Sequence, residues 1–151
     1  MKFFTFGITF VLCVVCIGVV TADDAADVKA LVEKGVVLVK ENGRDAAIKV
    51  INNPKSQFVK GDVYLFAGSL DNVTMLAHPF APQLLGVDLT ALKDPKGNPF
   101  FVKFKQVAET SGSGWVEYTS VIAGTEGALK KAFIMRVPGE QMYIGGAYYP
   151  K

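Results

Sequence analysis

The sequence predicts an α+β domain: one five-stranded antiparallel sheet with a long N-terminal helix and helices packed on one side. Three observations predict it. Val28, Leu31, Val32, Val36 and Val39 recur at the three-to-four-residue spacing of a helix. Three β-rich runs close the chain, separated only by short glycine- or proline-containing turns, the pattern of an antiparallel meander. Helical segments and strand segments are grouped rather than alternating, which favours separate layers over a parallel βαβ sheet.

Each element has a local cause. Asp23, Asp24 and Asp27 place carboxylates in the first turn of the long helix, where the helix dipole favours them, and Asn42-Gly43 stops it. Gly35 and the valines lower its propensity, so tertiary packing must hold it. A shorter helix fits residues 45–51 and ends at Asn53-Pro54. Residues 62–69 form a β-rich run, turned at residues 70–72, with residues 73–77 as its hairpin partner. A loop with Pro79, Pro82 and Gly86 follows, then the polar turn 94–99. Residues 99–109 form a helix with Phe100, Phe101, Phe104 and Val107 as its apolar stripe. After the loop 110–114, strands are expected at 115–123, 128–137 and 142–149, joined by turns at 124–127 and 138–140.

The first 22 residues have another logic. Lys2 supplies one positive charge, residues 3–20 carry none, and Val20-Thr21-Ala22 precedes Asp23-Asp24. This is the order of a secretory signal peptide cleaved after Ala22. The run also reaches the lower limit of about 18 residues for a membrane span, so an uncleaved anchor is the alternative. Either way residues 23–151, a single domain, are expected outside the cytoplasm: periplasmic or secreted if cleaved, membrane-tethered if not. Both cysteines, Cys13 and Cys16, fall in the leader, so the remainder offers no disulfide and no thiolate.

Composition excludes several functions. The 151 residues carry 16 basic and 14 acidic side chains, too even a balance for a nucleic-acid surface. His78 is the one histidine, so no His-rich metal site is expected. There is no glycine-rich phosphate loop at a strand–helix junction and no Gly-x-Ser-x-Gly serine. Asp71, Asp88 and Asp94 sit in turns, where Asp bonds nearby backbone. No catalytic residue, cofactor or metal is therefore expected, and the chain reads as a non-enzyme.

Seven short stretches point to a family. They are residues 58–66 (FVKGDVYLF), 75–79 (MLAHP), 85–89 (LGVDL), 94–100 (DPKGNPF), 114–118 (GWVEY), 130–137 (KKAFIMRV) and 143–149 (YIGGAYY). In that order and spacing the chain closely resembles the single Cache domain, the extracytoplasmic sensor module of bacterial chemoreceptors and histidine kinases. The resemblance implies a PAS-like antiparallel sheet and a pocket for a small ligand, often a short organic acid. It implies ligand-binding roles for Lys130, the strand lysine, and for His78 of the Leu-Ala-His-Pro motif.

A small carboxylate has little apolar surface, so its affinity must come from charge-assisted hydrogen bonds in a partly dry cleft. Tyr64 and Tyr118 can donate phenolic hydrogens, and Trp115 can wall the site or donate its indole N–H. Each also has a plainer role: His78 as a turn residue, Trp115 as core, the tyrosines as half-buried strand residues. Lys130 and Lys131 point to opposite faces of one strand. Side-chain parity with Leu129, Phe133 and Met135 favours Lys131 as the inward one; the motif favours Lys130, and Arg136 shares the latter's face. Asn72-Val73-Thr74 matches a glycosylation triplet.

Two departures from the family pattern stand out. No second apolar segment and no output module follow the domain, which suggests ligand delivery to a membrane receptor, or a tethered sensor if the leader stays. Phe133 stands where the family commonly has tyrosine, so one ligand hydroxyl is expected to be missing. The expected partners are thus a small carboxylate or similar metabolite, a membrane receptor and a second copy through the N-terminal helix. The rival expectation is an interaction protein whose pocket is filled by Phe133, Met135 and Met75.

Overall fold

The computed structural model describes residues 23–150; the 1–22 leader, with its cleavage site and both cysteines, lies outside the described residues. Helix α1 (Asp24–Asn42) is capped by Asp23, whose carboxylate accepts the Ala25 N–H at 3.2 Å. It buries Val28, Leu31, Val32, Val36 and Val39, the stripe set by their spacing. Gly43 ends it at φ 83°, and α2 (Arg44–Asn52) follows at once.

The strands are β1 (Val59–Lys60), β2 (Val63–Ser69), β3 (Met75–Ala77), β4 (Ser113–Thr119), β5 (Leu129–Arg136) and β6 (Met142–Tyr148), with α3 (Phe100–Thr110) before β4. Their order is β1-β2-β6-β5-β4, with β3 also pairing β2, and every pairing is antiparallel. The expected meander is β4-β5-β6, and β2 closes against the last strand. The two-residue β1 is an addition to the five expected strands. β4 stops at Thr119 rather than running to 123, because the Asp94 carboxylate takes the Thr119 N–H at 2.9 Å. The same carboxylate accepts the N–H groups of Lys96 and Asn98 at 2.9 and 2.8 Å. Burial works against that charge, but the Thr119 and Asn98 N–H groups outweigh it and hold the Asp94 pKa well below the usual carboxylate range.

Both faces of the sheet carry large apolar side chains. α1 and α2 lie together on one side, over Leu65, Phe133, Met142 and Ile144. On the opposite face, Phe66, Tyr118, Ile134 and Tyr143 are covered by α3 and by Leu70, Met75 and Leu89 of the long connection. Phe104 of α3 sits 5.5 Å from Phe66 and 5.4 Å from Tyr118, ring to ring. Successive residues on a strand face opposite sides, so Leu65 and Phe66 serve different cores.

β6 runs through the middle and owes its fit to two glycines. A Cβ on Gly146 would stand 2.9 Å from Val32, so its absence lets α1 close onto the sheet. A Cβ on Gly145 would stand 2.3 Å from the Phe66 ring and 2.9 Å from Ile134, both tightly packed. Gly145→Ala is therefore expected to destabilise the fold by about 1–3 kcal/mol in urea titration. An unchanged midpoint would mean the ring has room to move.

Candidate ligand-binding site

The face covered by α3 carries the polar constellation. Tyr118 on β4 pairs directly with Lys130 on β5. Tyr64 on β2 pairs with Ala147 on β6, which pairs with Ala132, two residues along from Lys130. The two alanines between the strands leave room for the lysine stem to cross toward Tyr64. The Lys130 Nζ donates to the Tyr64 hydroxyl at 2.9 Å and lies 4.7 Å from the ring centroids of both Tyr64 and Tyr149. These rings offer a cation their negative faces.

Lys130 is 0% exposed, yet among the described residues its ammonium has no carboxylate within 4.0 Å; the ion pairs there are Lys105–Glu109 and Lys131–Glu117. Burial lowers its pKa to about 8, partly opposed by Asp62. The same burial holds the Tyr64 and Tyr118 phenols protonated, with their pKa values raised above the ordinary range.

His78 is held as a neutral donor. Its backbone N–H donates to Asn52 Oδ1 at 2.8 Å, which ties the loop to α2. Its Nδ1 accepts the Phe80 N–H at 3.2 Å, so in the neutral ring the proton belongs on Nε2. Burial, then the Lys130 charge, lowers its pKa to about 4. The ring meets Tyr64 edge-on at 5.0 Å and stacks on Phe66 at 6.3 Å.

Two spaces adjoin these groups. A cleft of about 190 Å³ is lined by Gly61, Asp62, Tyr64, Phe80, Ile122, Thr125 and Tyr149. Beneath it, an apolar hollow reaches His78, Tyr118, Met75 and the α3 phenylalanines, with only about 20 Å³ free, room for one water. The β4–β5 loop borders both. The Tyr149 hydroxyl donates to Thr125 Oγ1 at 2.9 Å, and Thr125 is joined to Ser120 Oγ at 2.9 Å. A groove of about 540 Å³ runs between α1 and residues 57–60, but its rim charges, Glu33, Lys34, Glu41 and Lys60, are on the surface.

Four of the five residues singled out from the sequence thus converge: Tyr64, His78, Tyr118 and Lys130. Trp115 does not. It pairs with Phe133 on the α1 side, 41% exposed, its ring 5.1 Å from that of Phe133. Trp115 and Tyr118 are three apart on one strand, so they must face opposite sides. Lys130 is the inward lysine and Lys131 pairs with Glu117 at 2.7 Å. The parity argument failed because Leu129, Phe133 and Met135 line one of two covered faces, and Leu129 is exposed. For the same reason Phe133 costs the cleft no hydroxyl, and neither Phe133 nor Met135 can fill the hollow; Met75 does line it. Tyr149, Thr125 and Asp62 were missed. Tyr149 lies two positions beyond Ala147, on the cleft side, which parity alone would have given.

A lysine whose folded pKa lies near 8 and whose unfolded value lies near 10.5 is deprotonated first in the folded state. The unfolded chain then binds more protons across that window, so stability rises with pH. Relative to Lys130→Met, the wild type is expected to gain about 3 kcal/mol between pH 8 and 10.5 in urea titrations, and the variant to be at least as stable at pH 7. Parallel profiles for the two proteins would contradict a desolvated ammonium.

The family model "Single Cache domain 2" matches residues 25–151. A solved periplasmic sensor domain of a chemotaxis protein is 26% identical, with TM-score 0.66, over 83% of this chain and 90% of that one. A Cache chemosensory domain described for carboxylic acid recognition superposes with TM-score 0.71 at 21% identity, over 85% and 94% of the two chains. A methyl-accepting chemotaxis protein from Vibrio parahaemolyticus gives 0.67 at 19% identity, over 83% and 88%. The likenesses below 25% identity establish the shared fold. No helix among the described residues is long and apolar enough to cross a membrane. With the family model covering residues 25–151, the chain belongs to the single Cache domain family.

Proposed function

We propose that the protein is an extracytoplasmic sensor for a short monocarboxylate. The observation that carries this is the Lys130 ammonium, fully buried and, among the described residues, with no acidic partner. A desolvated charge without a counter-ion is costly, and an anion arriving in the adjoining cleft relieves that cost through charge-assisted hydrogen bonds. Tyr64 shares the ligand's oxygens as a second donor, and the neutral Nε2–H of His78 offers a third. One cation matches one carboxylate. Asp62 at the cleft mouth repels a second, which disfavours dicarboxylates. The apolar hollow beneath takes a tail of a few carbons as its phenylalanines and the β4–β5 loop give way.

Residues 1–22 direct export, with cleavage after Ala22 giving a free domain that delivers its ligand to a membrane receptor; retention of the leader gives a tethered sensor. α1 packs on the reverse side of β2, β5 and β6, so a shift of Lys130 or Tyr64 reaches it through shared strands. The groove beside it, with Val37 and Leu38 between mixed charges, suits a second copy of the same helix.

The narrow hollow favours a second reading, an interaction protein whose pocket is filled by its own side chains, including Met75. Thermal-shift and calorimetric titrations with acetate, propionate, lactate, pyruvate and succinate separate the two. A bound monocarboxylate at a hundredfold excess over Kd should add about 2.7 kcal/mol of stability. Lys130→Met should abolish the shift, and affinity should fall as pH rises above about 8, where the free protein's lysine loses its proton. No shift with any acid, or one that Lys130→Met leaves intact, would favour the filled pocket.

A further inference from the structure

Trp115 has no part in the cleft; its large aromatic side chain is 41% exposed at a sheet edge. It stands on β4, the edge strand, over Phe133 and 5.9 Å from the Tyr148 ring, edge to face. The Lys29 Nζ lies 5.8 Å from the Phe133 ring and extends the patch onto the first turns of α1. Lys131 and Glu117 beside it neutralise one another. Asp27 lies on the opposite flank of α1 from Lys29, two residues or about 200° around the helix.

The position of this patch in the chain narrows what covers it. Lys29 is only about 8 Å along the helix axis from Asp24, where α1 begins. Tyr148 is the last residue of β6. Both ends of the domain therefore meet beside Trp115, and the uncharged run of residues 3–20 ends just before α1. A chain that keeps that run in a bilayer holds the start of α1, and with it Trp115, at the lipid surface. Tryptophan and tyrosine, with one end apolar and one polar, favour the headgroup layer, and a nearby lysine reaches lipid phosphate.

We propose that Trp115, Tyr148 and Lys29 form a bilayer-contact patch, with the indole and phenol seated in the headgroup layer and the Lys29 ammonium on lipid phosphate. The patch fixes how the domain stands on the membrane and leaves the cleft, on the opposite face of the sheet, open to solvent. It rests on the retained-leader form of the proposed function and is independent of the ligand.

Trp115 is the sole tryptophan, so its fluorescence reports this contact without labelling. The full chain is reconstituted in phosphatidylethanolamine–phosphatidylglycerol vesicles containing phospholipids brominated near the headgroup. The emission is expected to move to shorter wavelength, to be quenched by the bromolipid and to be shielded from iodide. Lys29→Glu, a change at an exposed position, is expected to restore iodide access while far-ultraviolet circular dichroism stays the same. An indole that remains open to iodide, bromine quenching that survives Lys29→Glu unchanged, or shielding that grows with protein concentration in the absence of lipid would each overturn the proposal. The last result would assign the patch to a second copy of the chain.

Discussion

A single lysine ammonium held away from water, with phenols in place of a carboxylate, is the constraint on which the functional account turns. Lys130 reaches Tyr64 at 2.9 Å and sits between the rings of Tyr64 and Tyr149. Ring faces and a hydroxyl offset part of the desolvation cost, and they leave the net charge uncancelled. A structural lysine in a stable core is ordinarily paired. In the proposed reading, one left charged and dry beside a cleft is arranged for an anion that comes and goes. The neighbouring groups are tuned to the same end. His78 is kept neutral, so it adds a donor without adding charge, and the tyrosines stay protonated because burial opposes phenolate.

The sheet makes this arrangement compatible with signalling. It is covered on both sides, and the two sides do different work. One face seats α1 and α2 through Leu65, Phe133 and Ile144; the other holds the cleft through Tyr64, Tyr118 and Lys130. Gly145 and Gly146 let both layers close onto the same central strand. Little slack separates the cleft side from the helix side, which in the proposed reading leaves a change at the cleft few ways to dissipate before it reaches α1.

Much of this was legible in the sequence. The helical spacing of Val28 to Val39, the meander of the last three strands and the seven-stretch resemblance gave the fold and the family. His78 and Lys130 followed from that resemblance, and Tyr64 and Tyr118 from the donors a small carboxylate needs; the four converge in the structure. What failed was the face assignment. Parity arguments assume one wet and one dry side, and here both sides are covered, so Phe133 and Met135 looked like neighbours of the pocket when they belong to the other core. Trp115 was misplaced although its three-residue offset from Tyr118 already set them on opposite faces. Thr125 escaped because its role depends on how the β4–β5 loop folds back onto Tyr149, a long-range contact with no local signature, whereas strand parity with Ala147 already placed Tyr149 on the cleft side.

The most direct test is a titration of the Lys130 side chain itself, followed by nuclear magnetic resonance of its ammonium nitrogen or adjacent methylene with and without a short monocarboxylate. The account requires a midpoint near pH 8 in the free protein and a clear upward displacement once the acid is bound, because the new anion stabilises the charged form. A midpoint at the ordinary lysine value, or one indifferent to every acid tried, would contradict it.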